Sequence, residues 1–423
     1  MKGKILTLAA LTGAVLPFAV NEYFNSRCPE LPKEVILPSE AKAMPSFARQ
    51  TGLSCSTCHT IPPRLNAYGR TFKIRGYTDG KAIEDILTGE GESILKYNPV
   101  SIRVLSYPYS KKKGEDREVI FPDEVVIAFA GRISENVGTF AAFASEEGEP
   151  FEPEIVKVAL VKDFGNNTVV GIVGGKTSPT GTDPFDSLNL YSRITRFRTT
   201  VWEGVRKKDA SDLWDNHNYG ASLYASVSNW VYASVGAYTG IVRDDGTLNK
   251  DKSDPFDFYG RVAVTPQGIP ADLNIGLFTY IGKDEDPITD QTLVKPRRYG
   301  VDAGVIYNIG DIGIELNGIY VNGKDKFPSN PDFKHNGYNL SATLYWKYRL
   351  GLSLLYGNYK YKSDNPLTTD NEDGVKRADT TVHVSYLIRP NVRLGAEYTT
   401  TNFSGVNAPE DTHLTSLILD FAF

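Results

Sequence analysis

Short segments of alternating polarity recur from residue 98 to the end of this 423-residue chain. In residues 341–348, for example, one face carries Ala, Leu, Trp and Tyr while the other carries Ser, Thr, Tyr and Lys. Because side chains alternate between the two faces of a strand, each segment predicts a strand with one apolar face. The sixteen predicted strands begin near residues 98, 119, 137, 153, 167, 217, 230, 257, 270, 297, 311, 336, 350, 376, 391 and 412.

The connections between these segments alternate in length. Short turns are predicted near residues 134–136, 165–166, 228–229, 267–268, 310–311, 349–350 and 390–391. Long polar loops are predicted at 108–118, 146–153, 178–216, 242–256, 282–296, 323–335, 363–375 and 402–411. Alternation by itself fits a soluble sandwich as well as a membrane barrel, but regular short and long connections with an even strand count are typical of outer-membrane barrels. Both ends of such a barrel lie on the side of the short turns.

Composition and the C-terminus favour the same fold class. The chain contains 38 Gly, 24 Tyr and 20 Phe, which suits a barrel better than a soluble globule. The terminal residues alternate through Leu417, Leu419 and Phe421 to Phe423, which resembles the ending of outer-membrane proteins; the alternative is an ordinary edge strand. We therefore predict an all-β fold, an antiparallel outer-membrane barrel of about sixteen strands over residues 98–423, surrounded by outer-membrane lipid.

The first residues have the pattern of an export signal. Two lysines precede an apolar run that ends at Val20 and is too short to span a membrane comfortably. We predict a signal peptide over residues 1–20, with two alternatives for cleavage, one near Ala19 and one as late as residue 43. The earlier site would retain Cys28 in the mature chain.

The segment between signal and barrel carries the motif C-x-x-C-H at Cys55, Cys58 and His59. This is the attachment pattern for a c-type haem, in which two thiols form thioethers and the histidine ligates the iron. The alternatives are a redox dithiol, for which the βαβ context is absent, or half of a zinc site, for which Cys28 is the only further cysteine and no histidine lies nearby. We predict a helical monohaem segment over residues 44–97 that binds one haem c.

Further haem contacts are predicted from position and charge. Arg49 and Lys73 lie close to the motif and are expected to pair with the haem propionates. For the distal iron ligand we favour Met44, eleven residues before Cys55, with an open or water-ligated iron as the alternative. The other histidines are His217, His335, His383 and His413. Of these, His383 shares a strand face with polar residues and is expected to face the lumen.

Residues 44–77 closely resemble the cytochrome–porin fusion family of outer-membrane iron oxidases. The resemblance is carried by the sequence FARQTG at 47–52, the C-x-x-C-H at 55–59, a following proline, and F-K-x-x-G-Y at 72–77. It covers about thirty residues, and residues 21–40 show no match to the family. The resemblance implies a haem domain that plugs a barrel, takes electrons from extracellular Fe(II) and passes them to a periplasmic c-type cytochrome or other electron carrier.

The residues favour dissolved iron independently of that resemblance. One haem cannot relay electrons across an apolar band about 25 Å tall, so either the substrate approaches the haem or the haem sits within the barrel. The lumen of a sixteen-stranded barrel could admit a small ion and would exclude a mineral particle. Acidic loops at 146–149, 284–286 and 370–373 would concentrate cations at the mouth, although such loops are also ordinary solvated surface. No nucleic-acid partner is expected.

The sequence is compatible with more than one function. The same parts could export electrons to a soluble acceptor, or the chain could be a diffusion porin whose haem is a structural plug. Whether it acts as an enzyme, an Fe(II):cytochrome c oxidoreductase, or only as an electron-transfer protein is left open. The longest loop, 178–216, folds into the pore by analogy with general porins, or lies on the surface.

Overall fold

The computed structural model describes residues 45–61, 64–79, 85–87, 93–95, 98–185, 219–239, 256–285, 292–328, 332–363, 376–405, 408 and 410–423. All of them belong to one compact unit, residues 40–423. The predicted signal peptide, Cys28, Met44, His217, and the central parts of the loops at 178–216, 242–256 and 363–375 lie outside the described residues.

The helices of the described residues are short and belong mainly to the N-terminal part. They are α1 (Pro45–Thr51), α2 (Cys55–Cys58), α3 (Ala67–Ile74) and α4 (Pro179–Thr182). No helix in the described part of the chain is long and apolar enough to cross a membrane. Strands β1 (Asp85–Leu87) and β2 (Ser93–Leu95) pair as a separate two-stranded antiparallel sheet between α3 and the barrel.

The remaining strands close into one antiparallel barrel. They are β3 (Val100–Lys112), β4 (Arg117–Ser134), β5 (Val137–Glu146), β6 (Glu152–Asp163), β7 (Val169–Lys176), β8 (Tyr219–Val227), β9 (Val231–Thr239), β10 (Phe256–Val264), β11 (Asp272–Ile281), β12 (Asp284–Glu285), β13 (Thr292–Ile309), β14 (Ile312–Lys326), β15 (Phe333–Trp346), β16 (Leu350–Ser363), β17 (Lys376–Arg389), β18 (Val392–Ser404) and β19 (Thr412–Ala422). Strand β12 only extends the pairing of β11 along β13, so the described residues form a barrel of sixteen strands. The last strand closes on the first, with Phe421 opposite Val104.

The two faces of the wall differ as the alternation predicts. On β17, Thr381, His383 and Ser385 are buried on the inner face. Their neighbours Val382 and Val384 are 44% and 41% exposed on the outer face. The same division holds around the barrel. Exposed Leu, Val and Ile side chains lie outside, whereas buried polar and charged side chains lie inside together with several tyrosines, such as Tyr224, Tyr238 and Tyr359. A closed wall with an apolar exterior leaves no strand edge unpaired in lipid.

The predicted connections are confirmed at the short turns and shortened at several loops. The prediction of a long loop at 108–118 is wrong, because β3 continues to Lys112 and β4 starts at Arg117. Similarly, β13 begins at Thr292, five residues before its predicted start. Backbone pairing such as Lys111 opposite Arg117 extends beyond the apolar layer, where exposed polar residues no longer alternate in polarity. The hydrophobic pattern therefore marks only the part of each strand that crosses the lipid.

Candidate functional site

The C-x-x-C-H motif forms a single helical turn, α2, followed directly by the histidine. The His59 amide donates to the Cys55 carbonyl at 2.9 Å, which closes the turn. Cys55, Cys58 and His59 are all half-buried, and the two thiols are not joined as a disulfide. The geometry places two thiols and one imidazole on one compact turn, as attachment of a c-type haem requires.

The His59 ring is held in one tautomer. Its Nδ1 lies 3.1 Å from the carbonyl oxygen of Arg64. Because a carbonyl can only accept a hydrogen bond, Nδ1 must carry the proton, and the lone pair of the neutral ring is on Nε2. A backbone bridge between His59 and Leu65 keeps the two segments side by side. A ligating histidine commonly donates its other ring N–H to a carbonyl, so this arrangement suits iron ligation through Nε2.

Two residues missed by the sequence analysis, Asn66 and Gly69, lock the turn in place. The Asn66 side chain donates to the carbonyls of Ser56 and Thr57 at 3.2 and 3.0 Å, and accepts from the Gly69 amide at 3.1 Å. Asn66 thereby caps α3 and ties it to α2. A Cβ on Gly69 would lie 2.2 Å from the Cys58 carbonyl oxygen, so only glycine permits this approach. The signal in the sequence was an Asn directly before the helical run 67–74.

The thiols are unsuited to redox exchange in the folded chain. The pKa of Cys55 is raised to about 12, mainly by burial and secondly by the charge of the nearby Cys58. The pKa of Cys58 is raised to about 11, mainly by burial and secondly by the charge of Asp79. Catalytic dithiols instead have a lowered pKa, because the thiolate is the reactive form. The thiol chemistry therefore disfavours a redox dithiol at this motif.

Residues 45–61 and 64–79, here called the N-terminal segment, pack against the inner face of the barrel. Thr60 donates to Glu315 at 2.8 Å, and Arg64 pairs with the same carboxylate at 2.5 Å. Arg70 pairs with Asp272. Further contacts are Arg75 to Asp163 at 2.5 Å, the Tyr224 hydroxyl to the Ile74 carbonyl at 2.7 Å, and Gln50 to the Ala130 carbonyl at 2.8 Å. These partners lie on β4, β6, β8, β11 and β14, so the segment lies within the barrel against much of its wall.

The contacts also give the segment a height in the barrel. Asp163 ends β6 beside a short turn, and Asp272 begins β11 beside another. Glu315 is the fourth residue of β14, close to the short turn that precedes this strand. Gly351, which faces Ile61, is the second residue of β16 and also follows a short turn. The segment therefore occupies the end of the barrel that carries the short turns, which is the periplasmic end in outer-membrane barrels.

The two predicted propionate partners both contact protein groups. Arg49 donates to the Val100 carbonyl at the start of β3, and desolvation lowers its pKa. Lys73 donates from Nζ to the Asp183 carbonyl at 2.5 Å, in the loop after β7. Their pairing with haem propionates stays a prediction, as does distal ligation by Met44.

The barrel histidines have distinct environments. His335 is buried, with Nδ1 2.5 Å from the Tyr359 hydroxyl and Nε2 2.9 Å from Asp325. His413 is stacked on Tyr398 near the outer surface. His383 is fully buried on the inner face, so its predicted lumen orientation is confirmed.

The described part of the longest loop folds inward. Thr182 in α4 lies 3.0 Å from the Tyr238 hydroxyl on β9, and Asp183 lies 3.4 Å from Nε of Arg261 on β10. Phe185 stacks beneath that guanidinium, 5.0 Å from ring to cation. Residues 177–185 thus lie on the inner side of the wall, and the rest of the predicted loop lies outside the described residues, so constriction of the pore by this loop stays a prediction.

Comparison with known proteins identifies the architecture. No protein-family model and no curated protein sequence matches the chain. Among solved structures, the Salmonella typhi OmpF complex with daunomycin is similar at a TM-score of 0.55 and 10% identity, covering 80% of this chain and 100% of that one. The anion-selective porin from Comamonas acidovorans is similar at a TM-score of 0.54 and 15% identity, covering 77% and 98%. The fold is that of a sixteen-stranded porin.

A further likeness is to in-vitro folded OmpT of Vibrio cholerae, with a TM-score of 0.51 and 10% identity over 77% of this chain and 97% of that one. Identities at this level establish the fold and nothing of the activity. The closed wall and its apolar exterior show that the protein is an outer-membrane barrel.

Proposed function

We propose that this outer-membrane barrel transfers electrons through one c-type haem attached to its N-terminal segment. In this proposal it oxidises extracellular Fe(II) and passes the electron to a periplasmic one-electron carrier. The proposal rests on the C-x-x-C-H turn, on the similarity of residues 44–77 to the cytochrome–porin family, and on the packing of the segment inside a porin barrel.

The residues present fit a covalently held haem. Cys55 and Cys58 would form the two thioethers, and His59 would ligate the iron through Nε2. The Arg64 carbonyl orients that imidazole, while Asn66 and the absence of a Cβ at Gly69 fix the turn that carries it. A haem at this turn would supply a reversible one-electron centre whose potential depends on its axial ligands and burial.

The position of the motif is the observation that carries the proposal. The turn lies within the barrel at the end with the short turns, where Thr60 and Arg64 bind Glu315. A centre in this place is approached from the lumen by a small dissolved ion and from the periplasm by a carrier. Oxidation of one Fe(II) releases one electron, leaves Fe(III), and requires an oxidised carrier on the periplasmic side to remove that electron.

Charge at the far end of the barrel is compatible with a cationic substrate. Glu146, Glu147 and Glu149 are exposed at the turn between β5 and β6, on the side of the long loops. Surface carboxylates of this kind raise the local concentration of cations and bind Fe(II) weakly. The other acidic loops named from the sequence lie wholly or in their side chains outside the described residues.

Two other functions use the same parts. In an electron exporter, the haem would be reduced from the periplasm and oxidised by a soluble extracellular acceptor. In a diffusion porin, the haem segment would be a structural plug. The packing of residues 177–185 and of the N-terminal segment into one lumen favours electron transfer over free diffusion of solutes.

Anaerobic mixing of purified, oxidised protein with Fe(II) tests the proposal, with the haem absorbance as the readout. We expect rapid reduction at the working pH of the organism. If Fe(II) fails to reduce the haem while soluble acceptors oxidise its reduced form, electron export is the correct function. A haem inert to both reagents leaves the diffusion porin.

A further inference from the structure

Three inward-facing polar side chains lie side by side in the barrel wall, on consecutive strands. His383 on β17 is directly opposite Glu397 on β18, and Glu397 is directly opposite Ser416 on β19. Their exposures are 0%, 3% and 0%. Directly opposed residues have Cβ atoms about 5 Å apart, so all three side chains can reach a common point.

Two of these three side chains, His383 and Ser416, have no hydrogen bond to the described protein. Among the described residues, neither ring nitrogen of His383 and not the Ser416 hydroxyl has a hydrogen-bond partner. Buried polar atoms in proteins nearly always have one, so an orphaned imidazole and hydroxyl beside a carboxylate require an explanation. By contrast, both nitrogens of the other buried inner-face histidine, His335, are hydrogen-bonded.

The distance between the His383 imidazole and the Glu397 carboxylate indicates what lies between them. Nδ1 of His383 lies 3.4 Å from Oε2 of Glu397, without the geometry of a hydrogen bond. An N–H···O bond would be about 2.9 Å long. Two ligands each about 2.1 Å from one cation at a tetrahedral angle lie about 3.4 Å apart. The observed separation therefore fits a cation held between imidazole and carboxylate.

The backbone makes room for this arrangement. Gly395 precedes Glu397 on the same inner face of β18, and a Cβ there would lie 3.0 Å from Cε1 of His383. Without that atom, the imidazole can lie across β18 towards Glu397. The position of the ring thus depends on glycine at this one site.

We propose that His383, Glu397 and the Ser416 hydroxyl form a divalent-cation site in the barrel wall, and that Fe(II) is the cation it takes during turnover. Imidazole and carboxylate together suit first-row transition metals such as Fe(II). The described residues contain no group of three or more His, Cys, Asp or Glu side chains suited to a metal, and this site has two plus a hydroxyl. A site with only a few protein ligands binds a cation reversibly, as is required for a substrate that must leave again.

The site is connected to the haem-bearing turn along the wall. Glu315, which binds Thr60 and Arg64, is followed across the sheet by Thr343, Ser353 and His383 in register. Thr343 and Ser353 are joined by a 2.8 Å hydrogen bond. The three strand spacings from Glu315 to His383 amount to about 14 Å. The assignment of Fe(II) rests on the proposed function, whereas binding of a divalent cation does not.

Cobalt(II) is a suitable probe, because its absorption reports ligand geometry and it does not reduce the haem as Fe(II) would. Titration of the purified full chain is expected to show one bound Co(II). His383→Ala and Glu397→Gln should each weaken binding at least tenfold, and Gly395→Ala should weaken it by displacing the ring. Thr381→Val, on the same strand and face as His383, and His413→Ala, at the outer surface, are the matched controls and should bind as the wild type does. Heat-modifiable migration checks that every variant is a folded barrel.

A wild-type chain that binds no Co(II), or one whose binding is unchanged in both ligand variants, overturns the site. So does a metal-free His383→Ala protein with an altered haem spectrum, because His383 would then ligate the haem iron. With Fe(II) itself, Glu397→Gln should need at least ten times more iron for half-maximal haem reduction. If Co(II) binding depends on His383 and Glu397 but Fe(II) reduces no haem, the cation site stands and the proposed iron oxidation fails.

Discussion

Each barrel strand repeats one two-residue pattern, whereas the N-terminal segment uses a different contact at almost every position. On β17, inner polar residues alternate with outer apolar ones along the strand. In the N-terminal segment, Asn66 caps a helix, Gly69 permits a close approach, and Arg64 pairs with the wall. The wall is thus specified by many equivalent residues and the segment by a few unique ones.

This difference has a consequence for how the two regions respond to mutation. The wall is held by backbone pairing between neighbouring strands, which single side chains barely affect. The segment is held by side chains such as Thr60, Arg64 and Arg70, each of which binds a carboxylate on the wall. Single substitutions should therefore damage the segment and spare the barrel.

The largest effect is expected from His59→Ala. Removal of the proximal ligand should abolish reducible c-type haem entirely, because the remaining thioethers leave the iron without its imidazole. The barrel should stay folded and heat-modifiable, because the wall is held by backbone pairing between its own strands. Haem staining and the pyridine haemochrome spectrum, beside a gel-shift assay, measure both properties.

His413→Ala is the matched control, since this histidine lies at the outer surface beside Tyr398 and should not affect haem content. Loss of the barrel together with the haem in His59→Ala would show that the two regions fold as one unit. The comparison between them would then be wrong.

A smaller but substantial effect is expected from Glu315→Ala. This carboxylate is 3% exposed and binds both Thr60 and Arg64, so its removal takes this ion pair from a largely buried guanidinium. Breaking a buried pair in this way costs about 3 kcal/mol, here in the docking of the segment. Hydrogen exchange of residues 45–79 measures the change.

Glu118→Ala on β4 serves as the control, because that side chain is exposed and its loss should change stability by no more than about 0.5 kcal/mol. Equal protection of the segment in both variants would contradict the docking role of Glu315.

The sequence was sufficient for the wall but not for the docking of the segment. Strand starts near 137, 350, 376 and 412 agree with the structure, because alternation is a local property that each strand shows by itself. The pairing of Arg64 with Glu315 joins residues far apart in the chain and depends on barrel closure, which local patterns do not report. The motif predicted which residues form the turn, but not what holds it.

Because local patterns do not report contacts between distant residues, the propionate partners could be predicted only from their closeness to the motif in the sequence. Arg49 and Lys73 flank the motif and contact the Val100 and Asp183 carbonyls, while their pairing with haem propionates stays a prediction. Conversely, Asn66 was overlooked although an Asn before a helical run is a recognised capping signal.

An intermediate effect is expected from Gly69→Ala. Helix propensity alone would favour Ala at this position in α3 by about 1 kcal/mol. The added Cβ would instead lie 2.2 Å from the Cys58 carbonyl oxygen, so the two helices must separate at a cost of about 2 kcal/mol. The urea concentration at which the haem absorbance changes should fall.

Gly260→Ala is the control, because nothing lies closer than 3.7 Å to a Cβ there. A rise in the urea midpoint of Gly69→Ala, as propensity alone predicts, would exclude the close approach of α2 and α3.

The smallest effect is expected from Leu352→Ala. The adjacent Gly351 allows the outer and inner faces of the same strand to be compared directly. Leu352 is 49% exposed on the lipid face of β16, and replacing Leu by Ala in lipid costs about 0.5 kcal/mol. The adjacent Gly351 faces inward, where a Cβ would lie 2.2 Å from Cδ1 of Ile61 in the N-terminal segment. Gly351→Ala should therefore cost about 1 kcal/mol, by forcing Ile61 from its rotamer. Hydrogen exchange in residues 45–61 should become faster in Gly351→Ala. In Leu352→Ala, exchange should change neither in the wall nor in the N-terminal segment. Equal responses to the two substitutions would mean that the inner and outer faces of one strand are not independent, and that the segment is coupled to the lipid face.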